Sequence, residues 1–191
     1  NYGGMGIFKH QETNSISGKF RGNLASFADQ VYPIYVLSLY AKQKNNDEAL
    51  LIANDCANKL CELQGENGEW FWHYNSKTGK VVGKYPIYSV HQDAMAPMAL
   101  FAIQRASGLN YEKYIYKGLD WLLNQRCLDT KMYLENDNII WRAIEPSRTH
   151  RKIRSTLSHL GLLNKEEYNN LNLVKESWSY HFGWILHAFS G

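Results

Sequence analysis

The chain has 191 residues, 45% of them hydrophobic and 20% charged, with a net charge of +3 at neutral pH. That is enough apolar material for one domain with a real core, and too little positive charge to argue for a nucleic-acid partner. No run of about 18 apolar residues is present, so no transmembrane helix is expected. No signal-peptide pattern is visible, which by itself says little about export; between the two compartments the cytoplasm is the expectation.

Residues 1–22, rich in Gly, Ser and Asn, read as an irregular N-terminal arm, and residues 23–191 as a single domain. From Leu24 to Lys44 the pattern is helical and apolar on every side, which predicts a buried helix. Asn45-Asn46-Asp47 breaks it and caps a second helix over 47–64, with Leu50, Ala53, Cys56, Ala57, Leu60 and Cys61 in one inward stripe. WFWHYN and KVVGKYPIY flank the turn signal SKTG and predict a β-hairpin. A buried helix follows over 90–106, ended by Gly108. An amphipathic helix over 110–126 turns Ile115, Leu119, Leu122 and Leu123 inward. MYLEN and IIWRAIE around Asp137-Asn138 predict a second hairpin. Residues 147–161 read as a short basic helix, 164–173 as mostly loop, and 175–190 as a last apolar helix.

Two of these helices share a beginning. DQVYPIYVLSLYA starts at Asp29 and DAMAPMALFAI at Asp93, and each carries Pro four residues after the Asp. A proline is tolerated best in or near a first helical turn, so Asp29 and Asp93 are placed at helix N-termini. Buried helices alternating with amphipathic ones are the sequence form of stacked αα-hairpins.

The polar triplet His91, Gln92 and Asp93 stands at the mouth of an apolar helix, where it is expected to face a cavity. Asp93 reads as an N-cap whose pKa the helix terminus lowers, a better base than acid. His91 reads as a general base or a hydrogen-bonding residue. Trp70, Trp72 and Tyr74 alternate along one strand face, with Tyr88 further on. They are core residues or a stacking platform for sugar rings. Glu69 beside them is a candidate general acid. The second hairpin supplies Glu135, Trp141, Arg142 and Glu145, and Arg148, His150, Arg151, Lys152 and Arg154 follow. These charges are a solvated face or a subsite for carboxylated or phosphorylated ligands. His181 in the last helix is expected to look into the same cavity as His91. Cys56, Cys61 and Cys127 form no disulfide framework and lack zinc-ligand spacing, so no metal or cofactor is expected.

The segment GEWFWHYNSKTGKVVGKYPIYSVHQDAMAPMALF, with GLDWLLNQ, IIWRAIE and HFGWILHAF further on, resembles bacterial and archaeal proteins of the six-hairpin, glycosidase-like α/α toroid type. The resemblance covers most of residues 20–190. It implies a ring of helical hairpins and a carbohydrate ligand, but no established reaction, and fold alone does not give function. Terpene and lanthipeptide cyclases share toroidal architecture, yet neither a DDxxD or DxDD motif nor their zinc pattern is present. A complete ring needs about twelve helices, and five or six of ordinary length fit here. The expected fold is therefore all-α: a partial toroid with short β-hairpins at the cleft, a piece of a longer protein, or one half of an assembly that self-association completes.

Two functions follow as expectations. A glycoside hydrolase needs two carboxyl groups about 5 to 9.5 Å apart, which Asp93 and one of Glu69, Glu135 or Glu145 would supply. His91 with His181 would instead suit proton transfer at a sugar carbon, as in a lyase or epimerase. The alternative is a non-catalytic helical module that binds glycan or a partner protein through the aromatic cleft.

Overall fold

Caps set the helix boundaries. The computed structural model describes residues 2, 4–10, 23–147 and 171–190. Helix α1 (Ala28–Lys44) opens on a capping box. Phe27 already has helical dihedrals, the Asp29 N–H donates to Ser26 Oγ at 3.2 Å, and the Ser26 N–H donates to Asp29 Oδ2 at 2.7 Å. The helix ends at Asn45 in the left-handed region (φ 50°). Asn46 Oδ1 then accepts the Ala49 N–H at 2.8 Å and starts α2 (Asp47–Glu62). Helix α3 (Ala96–Ser107) closes on Gly108 at φ 75°, a conformation suited to glycine. Helices α4 (Glu112–Asn124) and α5 (Tyr180–Phe189) complete the five α-helices among the described residues.

Three small antiparallel sheets share the molecule with these helices. In the first, β1 (Leu24–Ser26) pairs with β2 (His73–Asn75), which forms the expected hairpin with β3 (Lys80–Gly83). In the second, β4 (Ile87–Tyr88) pairs with β7 (Ala143–Pro146), and β7 with β8 (Leu171–Val174). The third is the hairpin of β5 (Tyr133–Leu134) and β6 (Ile139–Ile140). The all-α partial toroid is thereby overturned in favour of a mixed α/β architecture. The reason is physical: strand partners lie far apart in sequence, so Leu24–Ser26 and Leu171–Val174, short and without strong periodicity, gave no local sign of pairing.

Helix α3 is central. It packs on α1, α2, α4 and α5, and its residues Ala99, Leu100 and Ile103 are fully buried. Around it Phe27, Val31, Ile34, Ala53, Cys56, Leu60, Trp70, Tyr74 and Ile115 complete the core. Burial at about 25 cal/mol per Å² of apolar surface makes this cluster the main stabilising contribution. Helix α2 exposes one face, as its stripe predicts. Helix α1 departs from expectation, because Tyr32, Val36, Leu39 and Tyr40 are exposed. Leu123 of α4 is also exposed. Apolar character all round a helix thus did not bring burial all round. Pro33 lies in the second turn of α1, past the expected place. The basic segment from Arg148 to Arg154, and most of the loop expected over 164–173, lie outside the described residues.

The described part of the N-terminal arm, residues 2 and 4–10, is pinned to the core. Ile7 is fully buried, and the Gln30 side chain accepts the Phe8 N–H at 2.8 Å while donating to the Phe8 carbonyl at 3.1 Å. No helix of the described residues is long and apolar enough to cross a membrane.

Candidate functional site

Between β4 and α3 the backbone makes one π-helical turn over His91–Met95, and all five residues are buried. Such turns recur at functional sites, because the wider helix shifts side-chain directions. Helices α4 and α5 both pack on this turn. Asp93 is therefore not the N-cap expected of it: no side-chain cap bond forms at this terminus. Instead its Oδ1 lies 2.6 Å from Nε2 of His181, the second residue of α5. Both side chains are almost wholly buried. Asp93 Oδ2 has no hydrogen-bond partner among the described residues. Burial pushes the Asp93 pKa up, against the lowering effect of His181. This reverses the shift expected from a helix terminus, because desolvation outweighs the helix dipole.

His181 forms part of the wall of a cavity of about 390 Å³, together with His91, Trp72, Tyr88, Arg142 and Trp178. The His91 ring lies parallel to Trp72, with centroids 5.2 Å apart and 2° between planes, and stacks on Phe27 at 4.5 Å. Its Nδ1 is buried and has no hydrogen-bond partner among the described residues. Burial, with the neighbouring His181, pushes the His91 pKa down to about 3. His91 is thus a neutral ring at ordinary pH, able to share a hydrogen bond but not to carry charge.

The other wall comes from the segment leading into α5. Arg142 donates from Nη1 to Glu176 Oε2 at 2.6 Å, and its guanidinium lies 4.2 Å from the Trp178 ring centre and 5.6 Å from that of Tyr88. Ser89 secures the floor by donating from both its N–H and Oγ to the Arg142 carbonyl. Tyr32 and Tyr180 also line the cavity.

The cavity thus gathers His91, Trp72, Tyr88, Arg142 and His181, with Asp93 directly behind His181. Other candidates lie elsewhere. Gln92 is a backbone clamp, accepting the Trp70 N–H at 3.0 Å and donating to the Trp70 and Tyr88 carbonyls. Trp70 is fully buried in the core beside Phe27. Glu69 turns back to accept from the Asn67 N–H and Nδ2. Glu135 is exposed and lines a separate hollow with Lys131 and Tyr133. Trp141 is half-buried, its N–H donating to the Met132 carbonyl. Glu145 sits in β7 opposite Asn172. Sequence reasoning missed Tyr32, Ser89, Glu176 and Trp178. The run ESWSYH before the last helix, aromatics with a polar residue at a helix mouth, was the signal that could have found two of them.

Among the described residues no group of three His, Cys, Asp or Glu side chains is disposed to hold a metal ion. What the arrangement can do is move a proton. An imidazole held by a buried carboxylate is a base whose orientation is fixed and whose cationic form is stabilised. No protein-family model, curated protein or solved structure matches the chain.

Proposed function

We propose that this chain is a carbohydrate-active enzyme that removes a proton from a ring carbon of a sugar held in the aromatic cleft. The observation that carries the reading is the buried Asp93–His181 pair, 2.6 Å apart, at the wall of a cavity faced with Trp72, Tyr88 and Trp178. Aromatic faces suit the C–H faces of a sugar ring. With Nε2 turned to the carboxylate, His181 Nδ1 is the nitrogen left to exchange a proton. The C–H proton passes to Nδ1, the electron pair stays on the sugar, and Asp93 stabilises the imidazolium. The electron pair then forms a double bond as the adjacent C–O bond breaks, and the imidazolium gives its proton to the leaving oxygen; where that bond stays intact, a proton exchanged with solvent on His181 returns to the same carbon. His91, held neutral, contributes a hydrogen bond in the same cleft.

Two-carboxylate hydrolysis, the first expectation, is less well supported. Both hydrolytic routes need carboxyl groups flanking the scissile bond. Among the described residues Glu176 alone brings a carboxylate to the cavity wall, and Arg142 holds it. The second reading, a non-catalytic glycan-binding module, draws support from the openness of the cleft: Trp178 is 42% exposed and Tyr180 50%.

The test is to incubate the protein with a panel of oligosaccharides in deuterated water and to follow label in the recovered sugar by NMR. Deuterium at a ring carbon or an unsaturated sugar product with wild type, and neither with His181→Gln, is the expected result. Binding without label or unsaturated product selects the module. Neither binding nor either product overturns both readings.

A further inference from the structure

We infer that the sugar is a uronic acid, its carboxylate taking the place of Glu176 on Arg142. The inference rests on the proton-transfer reading above and names its substrate class. A plain ring C–H is far too weak an acid for an imidazole base. It becomes accessible when the same carbon bears a group that can take up the electron pair left behind. A carboxylate does this, because the pair delocalises onto its oxygens, provided that a cation or strong donor meets the growing charge. A phosphate or sulfate on a ring oxygen binds arginine equally well but cannot accept that electron pair.

Arg142 fits the requirement. Among the described residues lining the cavity it is the only lysine or arginine, and stacking on Trp178 at 4.2 Å orients its planar fork, which suits carboxylates. Its present partner is replaceable. The bond to Glu176 is made by one guanidinium nitrogen, with side chains 35% and 50% exposed, and exposed pairs of this kind contribute little. Nor is the pair needed to hold the chain there. The Arg142 N–H already donates to the Glu176 carbonyl at 2.8 Å, and β7 already pairs with β8. Glu176 thus occupies the carboxylate position until a substrate exchanges with it.

Calorimetry tests this with glucuronate, galacturonate and mannuronate oligosaccharides and with the same sugars after reduction of the carboxyl to an alcohol. Wild type is expected to prefer at least one acidic form to its reduced counterpart by about tenfold or more. Glu176→Gln, which removes the internal competitor, should tighten acidic binding several-fold. Arg142→Gln should abolish the preference, the acidic form binding no better than its reduced counterpart. Arg142→Lys keeps the charge without the fork and should retain part of the preference. Equal affinity for acidic and reduced forms, or a preference that survives Arg142→Gln, overturns the inference while sparing the carbohydrate reading. Failure of every sugar to bind wild type overturns both.

Discussion

Asp93 and His91 sit two residues apart in one π turn, and burial acts on them with opposite sign. Asp93→Asn keeps an oxygen to accept from His181 and removes a carboxylate that burial disfavours, so thermal stability should change little. The amide cannot stabilise an imidazolium, and proton exchange into the sugar should fall by about 10²–10⁴-fold. Asp93→Ala leaves His181 buried without its partner and should cost about 1–3 kcal/mol. Thermal unfolding and label incorporation, measured together on the two variants, separate these effects. A large loss of stability in the Asn variant would show Asp93 to be structural. The His91 pKa is pushed to about 3 in the folded chain, against about 6.5 in an unfolded one. As pH falls below about 6.5, the unfolded chain takes up a proton that the folded chain refuses. Stability then declines towards pH 3, by up to about 1.4 kcal/mol per pH unit. The raised Asp93 pKa offsets part of this, since there the folded chain holds the extra proton. His91→Phe should therefore flatten the acid limb of the stability curve, as melting temperatures from pH 7 down to pH 4 would record. An unchanged limb would mean that His91 does not govern it.

At the scale of elements, helix α4 meets the core through a glycine. A Cβ built on Gly118 would stand 2.7 Å from Trp70 Nε1 and 3.4 Å from the Gln92 carbonyl oxygen. Gly118→Ala in an exposed helix would stabilise by about 1 kcal/mol through propensity. Here Trp70 is fully buried and has no room to retreat, so overpacking should dominate and destabilise by about 1–3 kcal/mol. Denaturant midpoints decide the sign. The same contact bears on the site, because Trp70 meets Gln92 through its backbone, and Gln92 belongs to the π turn. Helix α1 gives the contrast. Val36 is 58% exposed and Ile34 fully buried. Val36→Thr should fall within about 0.5 kcal/mol, while Ile34→Ala should cost about 2–5 kcal/mol.

Across the whole molecule, what could be read in the sequence was what is decided locally. Asn45-Asn46 and Gly108 end or cap helices through their own dihedrals and side chains, and SKTG turns a hairpin between neighbouring strands. The sheets that overturn the all-α expectation, and the bond at the centre of the site, are decided at a distance. Asp93 and His181 are 88 residues apart in sequence, and Arg142 meets Glu176 across 34. Glu69 was attractive because its sequence neighbours are aromatic, but its turn directs it to Asn67. The same long-range construction has a dynamic consequence. Helix α5 buries only His181 and Ala188, whereas seven of the twelve residues of α3 are buried. Beyond the His181 bond, α5 is held among the described residues by partly exposed contacts such as Phe189 on Phe101 at 5.4 Å and His187 on Tyr35 at 5.8 Å, with the Tyr35 hydroxyl 3.2 Å from His187 Nε2. Few buried contacts mean a low free energy of local opening. Amide hydrogen exchange should therefore be fast in α5 and slow in α3. Asp93→Ala should speed it further in α5 while leaving α2, which packs on α1 and α3, unchanged. A sugar bound between the His91 wall and the Trp178 wall should slow it, since the ligand would bridge α5 to the rest of the chain. Exchange in α5 as slow as in α3, or acceleration by Asp93→Ala spread evenly over the chain, would show that the helix opens with the whole molecule and that the cleft has no separately mobile wall.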